Sequence, residues 1–443
     1  MTTPEEVDLG DPVAAVVETG PDAYDETPYR AFRFPETHPT RLAALARLHG
    51  LAAPDPNCAR VLEFGCAGGS NLAAMARTLP TAEFHGIDLS ATQIEQGRRQ
   101  AIAAGLGNLR LDVADILDVD FGDARYDYMI AHGVFSWVPD PVRERLFELI
   151  RRHLAPTGIA YVSYNTLPGW SVNEAVAEMM RLEAGELADT EGRLHAARAT
   201  LETFRALFDG AHGPHTELVR YELDHIGGKD AVVFLHDELE ATSDPCYFLQ
   251  FVEWAAEHDL RQVTDAALPT LWPNALPQQA RQALARRGLS WLKAQQYLDY
   301  LQWRRFRRSV LCHAEVALDE LPNPTRLDGL YVQTRLRPSG PISVAPGMPI
   351  KYRVDGLGAA GSGDVMQVTD PLIQAFMHRL WATPHHFQAF RETLDATMKD
   401  AGNAASAPGR EAVLRDWVMT NLARGWMDIA ATPREVSGTR LAP

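Results

Sequence analysis

Between residues 60 and 163, short apolar runs alternate with segments of helical period, and no other feature restricts the fold of this chain as much. A strand that leads into a helix and then another strand returns to the same sheet by a right-handed crossover, so repeated units give a parallel sheet covered on both faces. The strands read as 60–64, 83–88, 109–113, 126–131 and 159–163, with helices over 70–79 and 91–104 and Ser90 as an N-cap. The expected fold is α/β, a doubly wound parallel sheet.

At 443 residues the chain exceeds a single hydrophobic core, and two or three domains are expected. Residues 172–208, rich in Ala, Leu, Glu and Arg at helical spacing, read as a helical insertion. A helix over 245–258 then leads to a strand over 260–264 that can rejoin the sheet, and 291–313 reads as one long amphipathic helix. Beyond about Leu321, Gly- and Pro-rich joints mark a C-terminal domain of mixed α+β character. The expected division is a cover segment at 1–50, a cofactor-binding domain at 51–170, a helical insertion or regulatory domain at 171–320, and the C-terminal domain at 321–443.

A net charge of −16 speaks against a nucleic-acid binder, because phosphate neutralisation needs a basic face. No stretch reaches the roughly 20 apolar residues of a membrane span, and the N-terminus is acidic where a secretory signal is basic. A cytoplasmic address is expected. The four cysteines, Cys58, Cys66, Cys246 and Cys312, are scattered, giving no ground for a disulfide framework or a zinc site.

The first strand ends in Glu63-Phe-Gly65-Cys-Ala-Gly68-Gly69-Ser70-Asn71, a glycine turn that lets backbone approach a ligand closely and bend into a helix. Asp88 ends the second strand, where a carboxylate can accept both ribose hydroxyls, with Leu89 beside it. Asp115 and Ile116 follow the third strand, one suited to an adenine amino group and the other to its ring. Ala67 and Ser70 break the dinucleotide spacing, and Glu63 sits awkwardly beside a pyrophosphate but suits the ammonium and sulfonium of S-adenosylmethionine. The expected cofactor is S-adenosylmethionine.

This set, with Tyr126-Asp127, resembles the class I S-adenosylmethionine-dependent methyltransferases over about residues 55–165. A narrower resemblance lies in Tyr24-Asp-Glu-Thr-Pro-Tyr29, Tyr164-Asn-Thr-Leu-Pro-Gly-Trp170, Phe234-Leu-His236-Asp-Glu-Leu-Glu240 and the run from Gln296 to Arg308. These look like the bacterial methyltransferases with a methyltransferase regulatory domain, which include protein-lysine methyltransferases of outer-membrane proteins. The resemblance implies a Rossmann-like catalytic domain, a winged-helix-like C-terminal domain and a protein substrate.

Tyr164 and Asn165 follow the fifth strand, at the sheet edge where ligands bind, and are expected to orient an incoming amine. His132 follows the fourth strand and can both contact the cofactor and take a proton from a lysine ammonium. Tyr24, Tyr29 and His38 are expected to fold over the cofactor and acceptor as an N-terminal cover, and Trp170 to wall the acceptor pocket. Two other functions fit the sequence: a methyltransferase of small molecules or natural products, and a non-catalytic cofactor-binding regulator using the basic run Arg304-Arg-Phe-Arg-Arg308.

Overall fold

A computed structural model describes residues 32–185, 187, 189–240, 242–268, 278–340, 348–354, 365–382, 386–401 and 408–433. Helix α1 (Pro39–Leu48) precedes β1 (Arg60–Phe64), α2 (Ser70–Thr78), β2 (Glu83–Asp88), α3 (Ala91–Ala103), β3 (Leu109–Val113), β4 (Tyr126–Ala131), α4 (Asp140–His153) and β5 (Leu154–Asn165). The helices start where local chemistry allows. Ser90 accepts the Gln93 N–H at 3.1 Å at the head of α3, as its sequence position implies. The fold is the expected one, with β1 to β5 parallel in the order β3-β2-β1-β4-β5.

Four helices follow, α5 (Ser171–Ala184), α6 (Thr190–Leu207), α7 (Pro214–Gly227) and α8 (Ala231–Glu238), and Glu174–Ser243 forms a compact unit. Its apolar centre comprises Val176, Met180, Leu201, Leu223, Ile226 and Phe234. The chain then returns to the sheet through α9 (Phe248–Glu257), β6 (Leu260–Asp265), α10 (Gln278–Arg286), α11 (Trp291–Gln302) and β7 (Phe306–His313). The second half of the segment expected as an insertion thus completes the sheet. β6 is the expected returning strand, now at the edge.

β7 corrects the sequence reading. The expected single helix over 291–313 stops at Trp303, whose φ of +50° cannot continue a helix. Residues 306–313 instead form a strand between β5 and β6, antiparallel to both. Nor is Arg304–Arg308 a solvated basic face. Arg307 is fully buried, its Nε and Nη2 donating to the two oxygens of Asp299 at 2.9 and 2.7 Å, with its guanidinium 3.9 Å from the Phe248 ring centroid. A bidentate partner and an aromatic face make a buried cation tolerable in this strand.

The C-terminal part is mixed α+β. One sheet has the order β12-β8-β13, from β8 (Tyr331–Thr334), β12 (Gln388–Ala389) and β13 (Met427–Ala430). A second has β9 (Leu336–Pro338), β10 (Ile350–Val354) and β11 (Met366–Val368), and the helices are α12 (Pro371–Ala382), α13 (Phe390–Ala401) and α14 (Arg410–Ala423). β13 docks on α1: Ala431 N–H donates to Thr40 O at 2.8 Å, and Arg41 pairs with Asp428. Buried residues of α1, the sheet and this domain form one continuous apolar cluster. No helix among the described residues is long and apolar enough to cross a membrane.

Candidate active site

The carboxyl ends of β1, β2 and β4 converge on the glycine turn. Gly65 and Gly69 adopt φ of +63° and +68°, a left-handed backbone natural to glycine, and Ala67 follows the turn at +49°. A Cβ on Gly65 would meet Val134 Cγ2 at 2.6 Å, and one on Gly97 of α3 would collide with the Gly68 carbonyl. Gly97 therefore lets α3 support the turn. Its one signal in the sequence is a glycine inside a helix, itself a mark of close approach.

Asp88 fixes the turn from β2. Its Oδ2 accepts the Ala67 N–H at 2.7 Å and its Oδ1 the Ser90 N–H at 2.9 Å. Val113 is the register partner of Asp88, and Ala114 N–H donates to the Asp88 carbonyl at 3.0 Å, so β3 delivers its exit loop to the same corner. Leu89, Val113 and Leu117 remain about half-exposed there, large apolar side chains left uncovered at one edge. Asp115 caps its own loop, Oδ1 accepting the Leu117 N–H at 2.8 Å, and Ile116 packs partly into the core beneath.

Glu63 is buried. Asn71 Nδ2 donates to its Oε1 at 2.8 Å, and Oε2 has no hydrogen-bond partner. Burial pushes its carboxyl up to about 8, opposed by the Asn71 bond and reinforced by the nearby Asp88 charge. Asn71 also holds the N-terminal turn: its Nδ2 reaches Thr37 Oγ1 at 3.0 Å, and its Oδ1 accepts the Phe34 N–H at 2.9 Å. Glu36 pairs with Arg308 at 3.0 Å. Residues 34–37 thus span this edge from α2 to β7, and Phe34 and Glu36 are contact residues that sequence reasoning missed. Tyr24 and Tyr29 lie outside the described residues.

Three expected roles need correction. Tyr164 is fully buried on the far face of β5, stacked on Phe251 at 4.1 Å with its hydroxyl 3.1 Å from Ser309 Oγ, so it cannot orient an acceptor. His38 caps α1 through Nδ1, which accepts the Thr40 N–H at 3.2 Å, and its Nε2 lies 3.0 Å from Thr78 Oγ1. That is a structural histidine. His132 lies 3.6 Å from the Phe34 ring between centroids, meets Phe306 edge-on and hydrogen-bonds through Nδ1 to the Tyr161 hydroxyl at 2.9 Å. Burial and the Arg308 charge push its pKa down to about 3, too weak a base to hold a proton from lysine near neutrality.

Asn165 keeps a candidate role. It is buried at the end of β5; its N–H donates to Ser136 Oγ at 2.9 Å, and its Nδ2 has no hydrogen-bond partner. Trp170 follows it, buried edge-on against Trp137 at 6.1 Å, with the Arg305 guanidinium 5.6 Å from its ring centroid. A Cβ on Gly169 would strike the Trp303 and Arg304 carbonyls, so the 164–170 loop lies hard against the turn into β7. A cavity of about 860 Å³ beside β2 and β3, lined by His85, Asp112, Phe121 and Tyr126 among others, includes none of Glu63, Asp88 or His132.

Residues 61–158 match the model of a methyltransferase domain, and 230–313 that of a predicted methyltransferase regulatory domain. Uncharacterized protein RP028 of Rickettsia prowazekii is 35% identical over 240 residues, which cover 54% of this chain and 96% of that protein. Uncharacterized protein RP789 of the same organism is 32% identical over 320 residues, 72% of this chain, and the chain spans 58% of its length. The structure of PKMT2 from Rickettsia typhi in complex with AdoHcy superposes with a TM-score of 0.79 at 28% identity, covering 91% of this chain and 77% of that one.

Proposed function

Since this chain belongs to the class I S-adenosylmethionine-dependent methyltransferases that carry a methyltransferase regulatory domain, we propose that it methylates lysine side chains of a protein by in-line transfer. The observation that carries the protein substrate is the likeness to PKMT2, which extends over 91% of the chain and so includes the regulatory and C-terminal parts as well as the cofactor domain.

The residues present fit S-adenosylmethionine. Glu63 Oε2 is a buried acceptor without a partner, suited to an ammonium. Asp88 at the end of β2 would take the ribose hydroxyls, and Leu89, Val113, Ile116 and Leu117 offer apolar surface for an adenine, with Asp115 at their edge. When bound, the cofactor supplies a methyl group on a cationic sulfur. The chain supplies position and dryness. The Phe34, Phe306 and Trp170 rings exclude water from the acceptor side, and the Asn165 amide is the donor available to orient the acceptor. With His132 neutral, the lysine must arrive deprotonated, and the residues around it favour that state by desolvation.

Incubation with methyl-labelled S-adenosylmethionine and fractionated lysate tests this reading. Label entering protein supports it. Label entering only small molecules would support the reading as a small-molecule methyltransferase, which a 30% identity over 131 residues to trans-aconitate 2-methyltransferase of Variovorax paradoxus keeps in view.

A further inference from the structure

At the ends of β4 and β5 a buried tyrosine and a histidine share a hydrogen bond, and the burial of the tyrosine sets its direction. The Gly133 N–H donates to Ser163 Oγ at 2.9 Å, fixing the exit of β4 against β5, and Tyr161 on the same strand is fully buried. Tyr161 then has its phenolic proton to place. Its hydroxyl lies 2.9 Å from His132 Nδ1, burial raises its pKa well above the usual tyrosine value so that it keeps the proton, and a buried O–H is stabilised by donating to the acceptor in reach. Nδ1 therefore accepts. A neutral imidazole that accepts at Nδ1 carries its hydrogen on Nε2.

We propose that Tyr161 is a positioning residue that holds His132 as the Nε2–H tautomer, and that this N–H donates to the carboxylate at the amino-acid end of the cofactor. The inference rests on the reading of the site as an S-adenosylmethionine cradle. The register pairs Glu63 with Ile130 and Phe64 with Ala131, so Glu63 and His132 stand at the ends of adjacent strands. One offers a buried oxygen with no hydrogen-bond partner; the other offers an N–H. Together they complement the ammonium and carboxylate of an amino acid, and the Arg308 charge acting on His132 favours an anion there as well. Phe34 stacked on the imidazole fixes its plane. Each of these devices is wasted on a proton-accepting base, which would need Nε2 bare.

The test uses the full chain and two ligands in calorimetry: AdoHcy and its decarboxylated analogue, which keeps the amine but lacks the carboxylate. His132→Ala should weaken AdoHcy binding about tenfold or more while leaving the analogue unaffected. His132→Gln, which offers an amide N–H near the same position, should recover part of the loss. Tyr161→Phe should fall between, and nitrogen-detected NMR should show His132 of the wild type protonated on Nε2 and that of Tyr161→Phe as a mixture of tautomers. Equal losses for both ligands, or a wild-type His132 protonated on Nδ1, would overturn the inference and leave the cofactor reading intact. Failure of the wild type to bind either ligand would overturn both.

Discussion

Asn71 Nδ2 donates to Glu63 Oε1 at 2.8 Å inside the protein, tying the end of β1 to the first helix of the catalytic domain while the other Glu63 oxygen stays buried without a partner. A carboxyl raised from 4.5 to about 8 is mostly protonated at neutral pH. Between those values the folded chain holds a proton that the unfolded chain has lost, so this group's contribution to stability is full below about pH 4.5 and is lost as pH rises through 8. A cationic ligand end reverses the preference. Binding of S-adenosylmethionine near pH 7 should therefore release close to one proton, and calorimetry in buffers of different ionisation enthalpy should show it. Release should vanish above about pH 9 and in Glu63→Gln.

Asp88 holds the glycine turn through both carboxylate oxygens and, in the proposed function, also takes the ribose hydroxyls. Asp88→Ala should weaken AdoHcy binding by about 2 kcal/mol, roughly thirtyfold, because charge-assisted hydrogen bonds are lost. The same calorimetric titration with NAD should show no binding. Tight NAD binding would contradict the cofactor assignment.

Tyr164 should behave as a core residue. Tyr164→Phe removes only the bond to Ser309 and should cost about 1 kcal/mol of stability with turnover unchanged. Tyr164→Ala should cost about 3 to 5 kcal/mol by leaving a cavity beside Phe251. A large loss of turnover in a well-folded Tyr164→Phe protein would return this hydroxyl to the active site.

The buried Arg307–Asp299 pair makes a separate prediction. Arg307→Ala should destabilise the fold by about 3 to 5 kcal/mol, since buried Asp299 is left with Arg304 alone and buried Asp265 loses its neighbouring cation. Replacing both, as Arg307→Met with Asp299→Leu, should recover only part of that loss in denaturant unfolding, because buried Arg304 shares the same carboxylate. Additive losses would mean that the pair is not coupled.

β1 and β4 were readable to the residue because a strand covered on both faces is a near-continuous apolar run between turn signals, and β2 and β3 because each is a short run bounded by a helix and a turn. β7 was hidden. Its first half is written in arginine, and the helical spacing of 291–302 runs into it without a glycine or proline; the stop is the backbone of Trp303. Glu63, Asp88 and the glycine turn were legible because local sequence carries them. The faces of β5 were not: period-two alternation separates Tyr161 from Tyr164, but only tertiary packing tells which of the two adjoins His132. Phe34 and Ser163 gave no local signal, since their meaning arises from partners 98 and 30 residues away.

Methyl transfer to lysine is read out by tandem mass spectrometry of protein recovered after incubation with trideuteromethyl-labelled S-adenosylmethionine, run as a pH series. Heavy methyl groups are expected on lysine Nε, at a rate that climbs with pH toward the lysine value of about 10.4, because no neutral-range base holds the departing proton. Heavy methyl on oxygen or carbon, or label confined to small molecules, would contradict it.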